Sequence, residues 1–246
     1  MHRFYLPPEE CKGPALVLSG GEAHHALHVL RVRTGEQVTV LDGAGQELLC
    51  AVETTERTLL QLKVLERKVH PALPCQITLC QALPKAKLIE AIIQKAAELG
   101  ASRIVPLLTE RVVPDLDEQA ARDKRAKWQN VAVEAIKQCG SPWLPQVHRP
   151  MTPPDFLTHS DRVELALLAS LRPGSRHPRE HFNDFRKKHG RAPKSTQVWI
   201  GPEGDFTQGE VESIEAAGAL PITLGPRVLR TETAAIYCLS VVNYEL

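Results

Sequence analysis

From residue 1 to about residue 71, apolar and polar positions alternate in short runs rather than recurring at helical spacing. The runs 2–6, 15–18, 37–42, 47–53 and 58–65 are rich in Val, Leu and Thr and are punctuated by Gly35, Gly43 and Gly45. Short runs of this kind between glycines predict half-buried strands, and together a small β-barrel or sandwich. One helix is expected among them, starting at Ser19 with Glu22 three residues on. That is capping-box spacing, in which hydroxyl and carboxylate satisfy each other's free backbone N–H groups. His70-Pro71-Ala72-Leu73-Pro74 then disfavours helix and removes ladder donors, which marks a boundary between a domain over 1–71 and one over 74–246.

Beyond the boundary the pattern changes to alternating strand and helix. Strands are expected over 76–82, 103–108, 163–169, 197–200 and 221–224, and helices over 84–99 (closed by Gly100), 208–217 and 232–244. A polar helix of about 20 residues should end near Cys139. The expected class is α/β, a mostly parallel sheet covered by helices. Between Leu171 and Lys194 lie eight basic residues (Arg172, Arg176, Arg179, Arg186, Lys187, Lys188, Arg191, Lys194) against Glu180 and Asp184. This stretch reads either as a solvated insertion or as a phosphate-contact surface.

Composition narrows the function classes. With 246 residues, 43% hydrophobic, 24% charged and 4% aromatic, the chain is neither disordered, collagenous nor a coiled coil. The 30 Lys and Arg nearly cancel the 29 Asp and Glu, so any nucleic-acid surface must be local. No run of 18 apolar residues is present, and Met1-His2-Arg3-Phe4 leads to Pro7-Pro8 without an apolar segment, so a cytoplasmic protein with no membrane partner is expected. Six cysteines without a C-x-x-C pair are expected to be reduced and buried. His24 and His28 have the i, i+4 spacing of two metal ligands, but no third ligand is evident nearby; a partly exposed helix face and no metal are expected.

The chemistry concentrates in two turns. Val198-Trp199-Ile200-Gly201-Pro202-Glu203-Gly204-Asp205-Phe206-Thr207 runs from a buried-looking strand through two glycines to Thr207, with Glu210 at capping-box distance. Ligands of open α/β sheets bind at such strand ends, where glycine admits close backbone approach and a helix N-terminus offers free N–H groups. The turn matches neither G-x-x-x-x-G-K-S/T nor G-x-G-x-x-G, so nucleoside triphosphates and dinucleotides lose support. The second turn, 224–230, carries Arg227 and Arg230 toward a helix for which Thr231 is the expected N-cap and Glu232 suits the positive end. Two glycine-bearing loops at adjacent strand ends imply a shared pocket.

GPEGDFT (201–207) followed by LGPRVLRTETAA (224–235), and preceded by KLIEAIIQKAAELGASRIVPLLTER (87–111), resembles the SPOUT-superfamily methyltransferases that methylate N3 of a uridine in 16S ribosomal RNA, the RsmE family. HHALHVLRVRTGE (24–36) is similar to that family's small RNA-binding barrel, a PUA-like domain. The resemblance implies a C-terminal trefoil-knotted SPOUT methyltransferase domain, S-adenosyl-L-methionine as methyl donor, 16S ribosomal RNA in the small ribosomal subunit as partner, and a homodimer. The chain departs from the family pattern in having Gly204-Asp205 where a glycine pair is usual, and Ser141 after Gln138-Cys139-Gly140 where arginine is frequent.

By the same resemblance, Gly201, Pro202, Glu203 and Gly204, with Leu224, Gly225, Val228, Leu229, Arg230, Thr233 and Ala234, wrap the cofactor, and Leu168 completes the wall. Methylating uracil N3 requires positioning the base and managing its proton. Arg230 is the expected stabiliser of charge on the uracil oxygens, with Glu232 or Glu203 orienting it or assisting proton removal. The plainer alternatives are a surface pair between Arg230 and Glu232, and a loop-bracing Glu203. Arg3, Arg31 and Arg33, with His24 and His25, are expected to contact RNA phosphates from the barrel, or else are solvated charges. Two other functions fit less well: a SPOUT enzyme acting on a ribose 2′-hydroxyl, and an RNA-binding assembly protein that keeps the fold without turnover.

Overall fold

Two sheets organise the chain, and the computed structural model describes residues 1–85, 88–111 and 117–246. The residues group into two units, Met1–Ala72 with Val133–Leu144, and Leu73–Ala132 with Pro145–Leu246. In the first, β1 (Arg3–Tyr5), β2 (Ala15–Leu18), β3 (Gln37–Leu41), β4 (Gln46–Thr55) and β5 (Leu60–Val69) pair in the order β1-β3-β4-β5-β2. All pairings are antiparallel except β1 with β3. The alternation read from sequence puts Leu16, Leu18, Leu48, Cys50, Leu60 and Leu62 into one core with Phe4, Val38 and Val40.

Between β2 and β3, α1 (Gly20–His24) passes into a π-helical turn at His25–Leu30 that ends on Arg31 in the left-handed conformation, φ 55°. Ser19 occupies the N-cap position, but its side chain makes no capping hydrogen bond, so the expected capping box does not form. Glu22 is drawn elsewhere: its carboxylate accepts a 2.7 Å hydrogen bond from Lys137, an ammonium only 6% exposed that also bonds Glu134 at 2.7 Å. A charge-assisted bond to a buried ammonium outweighs a backbone cap. Burial by itself lowers the Lys137 pKa, yet the two carboxylates outweigh it and hold the group above its usual range.

In the second unit, β6 (Gln76–Ala82), β7 (Arg103–Leu107), β8 (Gln146–Val147), β9 (Leu165–Ala169), β10 (Ser195–Ile200) and β11 (Leu220–Ile222) form a wholly parallel sheet in the order β11-β9-β10-β6-β7-β8. Its helices are α2 (Leu88–Glu98), α3 (Glu118–Cys139), whose residues from Val133 onward belong to the first unit, α4 (Pro153–His159), α5 (Pro178–His189), α6 (Gln208–Ala216) and α7 (Thr231–Glu245). Residues 86 and 87 of the helix expected over 84–99 lie outside the described residues. Sequence periodicity missed β8, α4 and α5. The first has two residues; α4 opens with Pro153-Pro154, which read as breakers but fit the first turn of a helix capped by Thr152.

The basic stretch, read from sequence as a solvated insertion or a phosphate-contact surface, contains the unforeseen α5. This helix starts with a capping box of His177 and Glu180, buries Pro178, His181 and Phe182, and stops at Gly190 in the left-handed conformation. Its arginines are engaged: Arg176 with Glu180 and Asp184, Arg179 and Arg186 with Glu245 of α7, and Arg191 with Glu164. Arg172 pairs with Glu215. Carboxylates outside the stretch thus offset most of its arginine charge. Among the described residues, no helix is long and apolar enough to cross a membrane.

Five of the six cysteines are buried and all six are free; Cys139, expected to be buried, is exposed at the end of α3. Burial pushes the thiols of Cys11 and Cys50 up to about 11 and that of Cys238 up to about 12. A thiol must ionise to react quickly. Titration of the native protein with an aromatic disulfide reagent should therefore give one fast thiol, abolished by Cys139→Ser; a fast thiol persisting in that variant contradicts the burial pattern.

Candidate active site

The site grows from the carboxyl end of β10. A Cβ at Gly201 would stand 3.0 Å from Asp205 Oδ1 and 3.3 Å from the Phe206 nitrogen, so a side chain in the tight turn after the strand would push its neighbours aside by a few tenths of an ångström. Asp205 adopts φ 62°, a conformation usually left to glycine, and its Oδ1 accepts the Phe206 N–H at 2.8 Å. Thr207 then caps α6 in the expected box: its hydroxyl accepts from the Glu210 N–H at 3.3 Å, and the Glu210 carboxylate accepts from the Thr207 N–H at 2.8 Å. The same carboxylate accepts the Glu110 N–H at 3.0 Å, tying the loop after β7 to α6. Glu203 accepts the Lys85 N–H at 3.1 Å, and Arg111 donates to the Gly204 carbonyl.

The second loop follows β11. Gly225 has φ 107°, and its N–H donates to the Thr223 hydroxyl at 3.2 Å. Thr231 is not the N-cap. Arg230 holds that position with extended backbone and no side-chain cap, and Thr231 is the first residue of α7. The hydroxyl of Thr231 is used across the fold instead: it donates to the Gly201 carbonyl at 2.7 Å and accepts from Gln81 Nε2 at 2.9 Å. A carbonyl can only accept, so the direction of both bonds is fixed. Gln81, fully buried on β6, also donates to the Ala82 carbonyl at 2.8 Å, and its Oε1 has no partner among the described residues.

The two loops enclose a cleft of about 500 Å³. Of the residues expected around a cofactor, Gly201, Pro202, Glu203, Leu224, Gly225, Val228, Leu229, Arg230 and Ala234 line it. Gly204, Thr233 and Glu232 are not among its lining residues, and the buried Leu168 lines an adjoining cavity. Ser170 and Thr223 line the cleft without having been singled out from sequence; Arg172 and Thr231 also line it, having been named there only for the basic stretch and as a helix cap. For Ser170 and Thr223 the signal available was position alone, at the ends of β9 and β11 beside the glycine loops. Val228 is 79% exposed, an apolar side chain left to solvent at the cleft.

In the first unit, His24, Arg31 and Arg33 are exposed and His25 is half-buried. Arg3 donates to the carbonyls of Lys137 at 3.3 Å and Gln138 at 3.1 Å, satisfying the end of α3. The rings of His24 and His28 pack at 4.9 Å, and among the described residues no group of three or more His, Cys, Asp or Glu could hold a metal ion.

Residues 71–243 match the model of an RNA methyltransferase domain, and residues 18–65 that of an RNA methyltransferase PUA domain. The chain belongs to this RNA methyltransferase family. It is 31% identical to the ribosomal RNA small subunit methyltransferase E of Bacillus subtilis, over 95% of this chain and 91% of that one. A methyltransferase from Legionella pneumophila, solved with S-adenosylmethionine, superposes with a TM-score of 0.86 at 33% identity, covering 98% of this chain and 96% of the other. The ribosomal RNA small subunit methyltransferase E of Neisseria gonorrhoeae, also bound to S-adenosylmethionine, gives 0.85 at 28% identity, over 99% and 97%.

In this member of the family, the bond between Thr231 and Gly201 links the two loops directly, and loss of the hydroxyl takes a partner from the buried Gln81 amide and from the half-buried Gly201 carbonyl. Thr231→Val should lower unfolding stability by about 1–3 kcal/mol in urea, whereas Thr231→Ser, which keeps the hydroxyl, should cost visibly less. Equal losses in the two variants would show that shape, not hydrogen bonding, matters at this position.

Proposed function

We propose that this protein transfers a methyl group from S-adenosylmethionine to N3 of a uridine in 16S ribosomal RNA of the small ribosomal subunit. One observation carries the reading: the GPEG and LGPRVLR loops, remote in sequence, close around a single cleft. Its volume lies in the range that encloses a ligand of this size. Its lining suits an amphipathic ligand. Backbone at Gly225 is open to close approach, Val228 and Leu229 offer apolar cover, and Arg230 and Glu203 supply charge. The names of the relatives and the cofactor bound in two similar structures support both substrate and donor.

Bound there, S-adenosylmethionine supplies a methyl carbon activated by a sulfonium. The protein's task is to present uracil N3 in line with that carbon while the N3 proton leaves. Arg230, exposed at the cleft and with no hydrogen bond from its guanidinium among the described residues, is the group we assign to stabilise charge on the uracil oxygens. The Glu203 carboxylate is occupied by the Lys85 N–H, which makes it a brace for the first loop. Glu232 follows on the first turn of α7, outside the cleft lining.

The division of labour in this reading gives residues 1–71 to RNA binding and 74–246 to catalysis. Exposed Arg31, Arg33 and His24, with His25, hold phosphates from the barrel, while Arg3 shapes it. A trefoil knot in the catalytic part, a homodimer and a cytoplasmic setting complete the proposal on the strength of the family resemblance.

Small subunits lacking the modification, incubated with labelled S-adenosylmethionine, should yield 3-methyluridine as the labelled nucleoside. A labelled 2′-O-methyl nucleoside, or cofactor binding without transfer, overturns the substrate assignment. Arg230→Ala should lower kcat by about 10²–10³-fold with cofactor affinity nearly unchanged; an undiminished kcat removes Arg230 from the chemistry.

A further inference from the structure

A second cavity, of about 290 Å³, adjoins the cleft and shares Ala169, Ser170, Arg172 and Asp205 with it. The rest of its wall brings Arg111, from the loop after β7, and Gln208, the first residue of α6, over a floor that includes Phe206. Arg111 closes the 87–111 segment, one of the stretches that carry the family resemblance, and the chemistry described so far gives it no part.

Both cations are fixed in place by the protein. Arg111 donates to the carbonyls of Gly204 and, at 3.4 Å, Asp205. Arg172 donates to Gln208 Oε1 at 2.7 Å and pairs with Glu215 at 3.4 Å. Opposed to these two guanidinium groups on the wall is one carboxylate, Asp205, whose Oδ1 is engaged by the Phe206 N–H. The wall itself carries two guanidinium groups against one carboxylate, with Glu215 off the wall paired to Arg172, and the cavity is pre-organised and next to the proposed site of methyl transfer. A base that is to react must leave its stack, which requires its backbone to be gripped beside the pocket that receives it. Planar guanidinium forks match phosphate geometry, and holding them before binding reduces the entropy lost on contact.

We infer that this second cavity is a phosphodiester subsite, in which Arg111 and Arg172 hold a phosphate flanking the extruded uridine. The inference rests on the RNA-methylation reading above. It is tested by measuring 16S ribosomal RNA binding to the full chain across salt concentration, with S-adenosylmethionine affinity measured alongside. Arg111→Gln and Arg172→Gln should each reduce the slope of log K against log salt by about 0.7–0.9, the contribution of one phosphate contact. In Arg111→Gln, whose side chain does not line the cofactor cleft, cofactor affinity should stay at the wild-type value. Arg111→Lys keeps the charge, and Glu215→Gln breaks the Arg172 ion pair while keeping the guanidinium; both should retain the wild-type slope.

Unchanged slopes in the two glutamine variants overturn the inference. So does a slope that falls equally in Glu215→Gln, since the effect would then come from lost packing. Weakened cofactor binding with an unchanged slope also overturns it and gives the cavity to an anionic group of the cofactor. A wild-type chain that binds no ribosomal RNA defeats the underlying reading as well, a result distinct from all of these.

Discussion

One hydroxyl holds the active-site cleft together. Thr231 donates to the carbonyl of Gly201 across 30 positions of sequence, and Gln81 in turn donates to Thr231 across 150. Without this chain, the turn after β10 and the start of α7 would be separate loops, each costing conformational entropy to place. With it, both strand ends are referred to the buried centre of the sheet. The unpartnered Gln81 Oε1 follows from the same geometry, because the amide must turn its nitrogen toward Thr231 and Ala82. A buried polar atom left unpaired is tolerated where the network around it specifies one arrangement.

The loops themselves are set by smaller constraints of the same kind. Gly201 packs closely against Asp205 and Phe206, Asp205 secures a left-handed turn with its own carboxylate, and Glu210 caps α6 while reaching the Glu110 N–H. Elsewhere, charge is arranged to build structure. Lys137 is buried between Glu22 and Glu134 in the first unit, and in the second Glu245 near the end of α7 receives both Arg179 and Arg186 of α5. Breaking one partner of the Lys137 cluster would strand a buried charge, so its contribution lies in fixing α1 against the end of α3 more than in net stability.

The strands of both sheets, the two-residue β8 apart, were legible because their apolar patterns are dictated locally, by alternation in the barrel and by continuous burial in β6 and β10. The cleft was legible as two glycine-bearing turns at strand ends. What sequence could not supply were the long-range competitors. Ser19 and Glu22 have correct capping-box spacing, but Lys137, 115 residues away, takes the carboxylate. Thr231 has the chemistry of an N-cap, but the Gly201 carbonyl takes its proton. The helix within the basic run 171–194 was not foreseen because charge masked its buried His181 and Phe182, which pack α5 into the fold. Each miss is a case in which a tertiary partner outbid a local rule.

Amide hydrogen exchange with and without S-adenosylmethionine tests most directly whether the two joined loops form the cofactor cleft. Binding should slow exchange in residues 200–206 and 223–234 together, since the Thr231 bond couples them, and leave the barrel strands β2 to β5 unchanged. Protection confined to one loop, or appearing only outside both, would contradict the cleft described here.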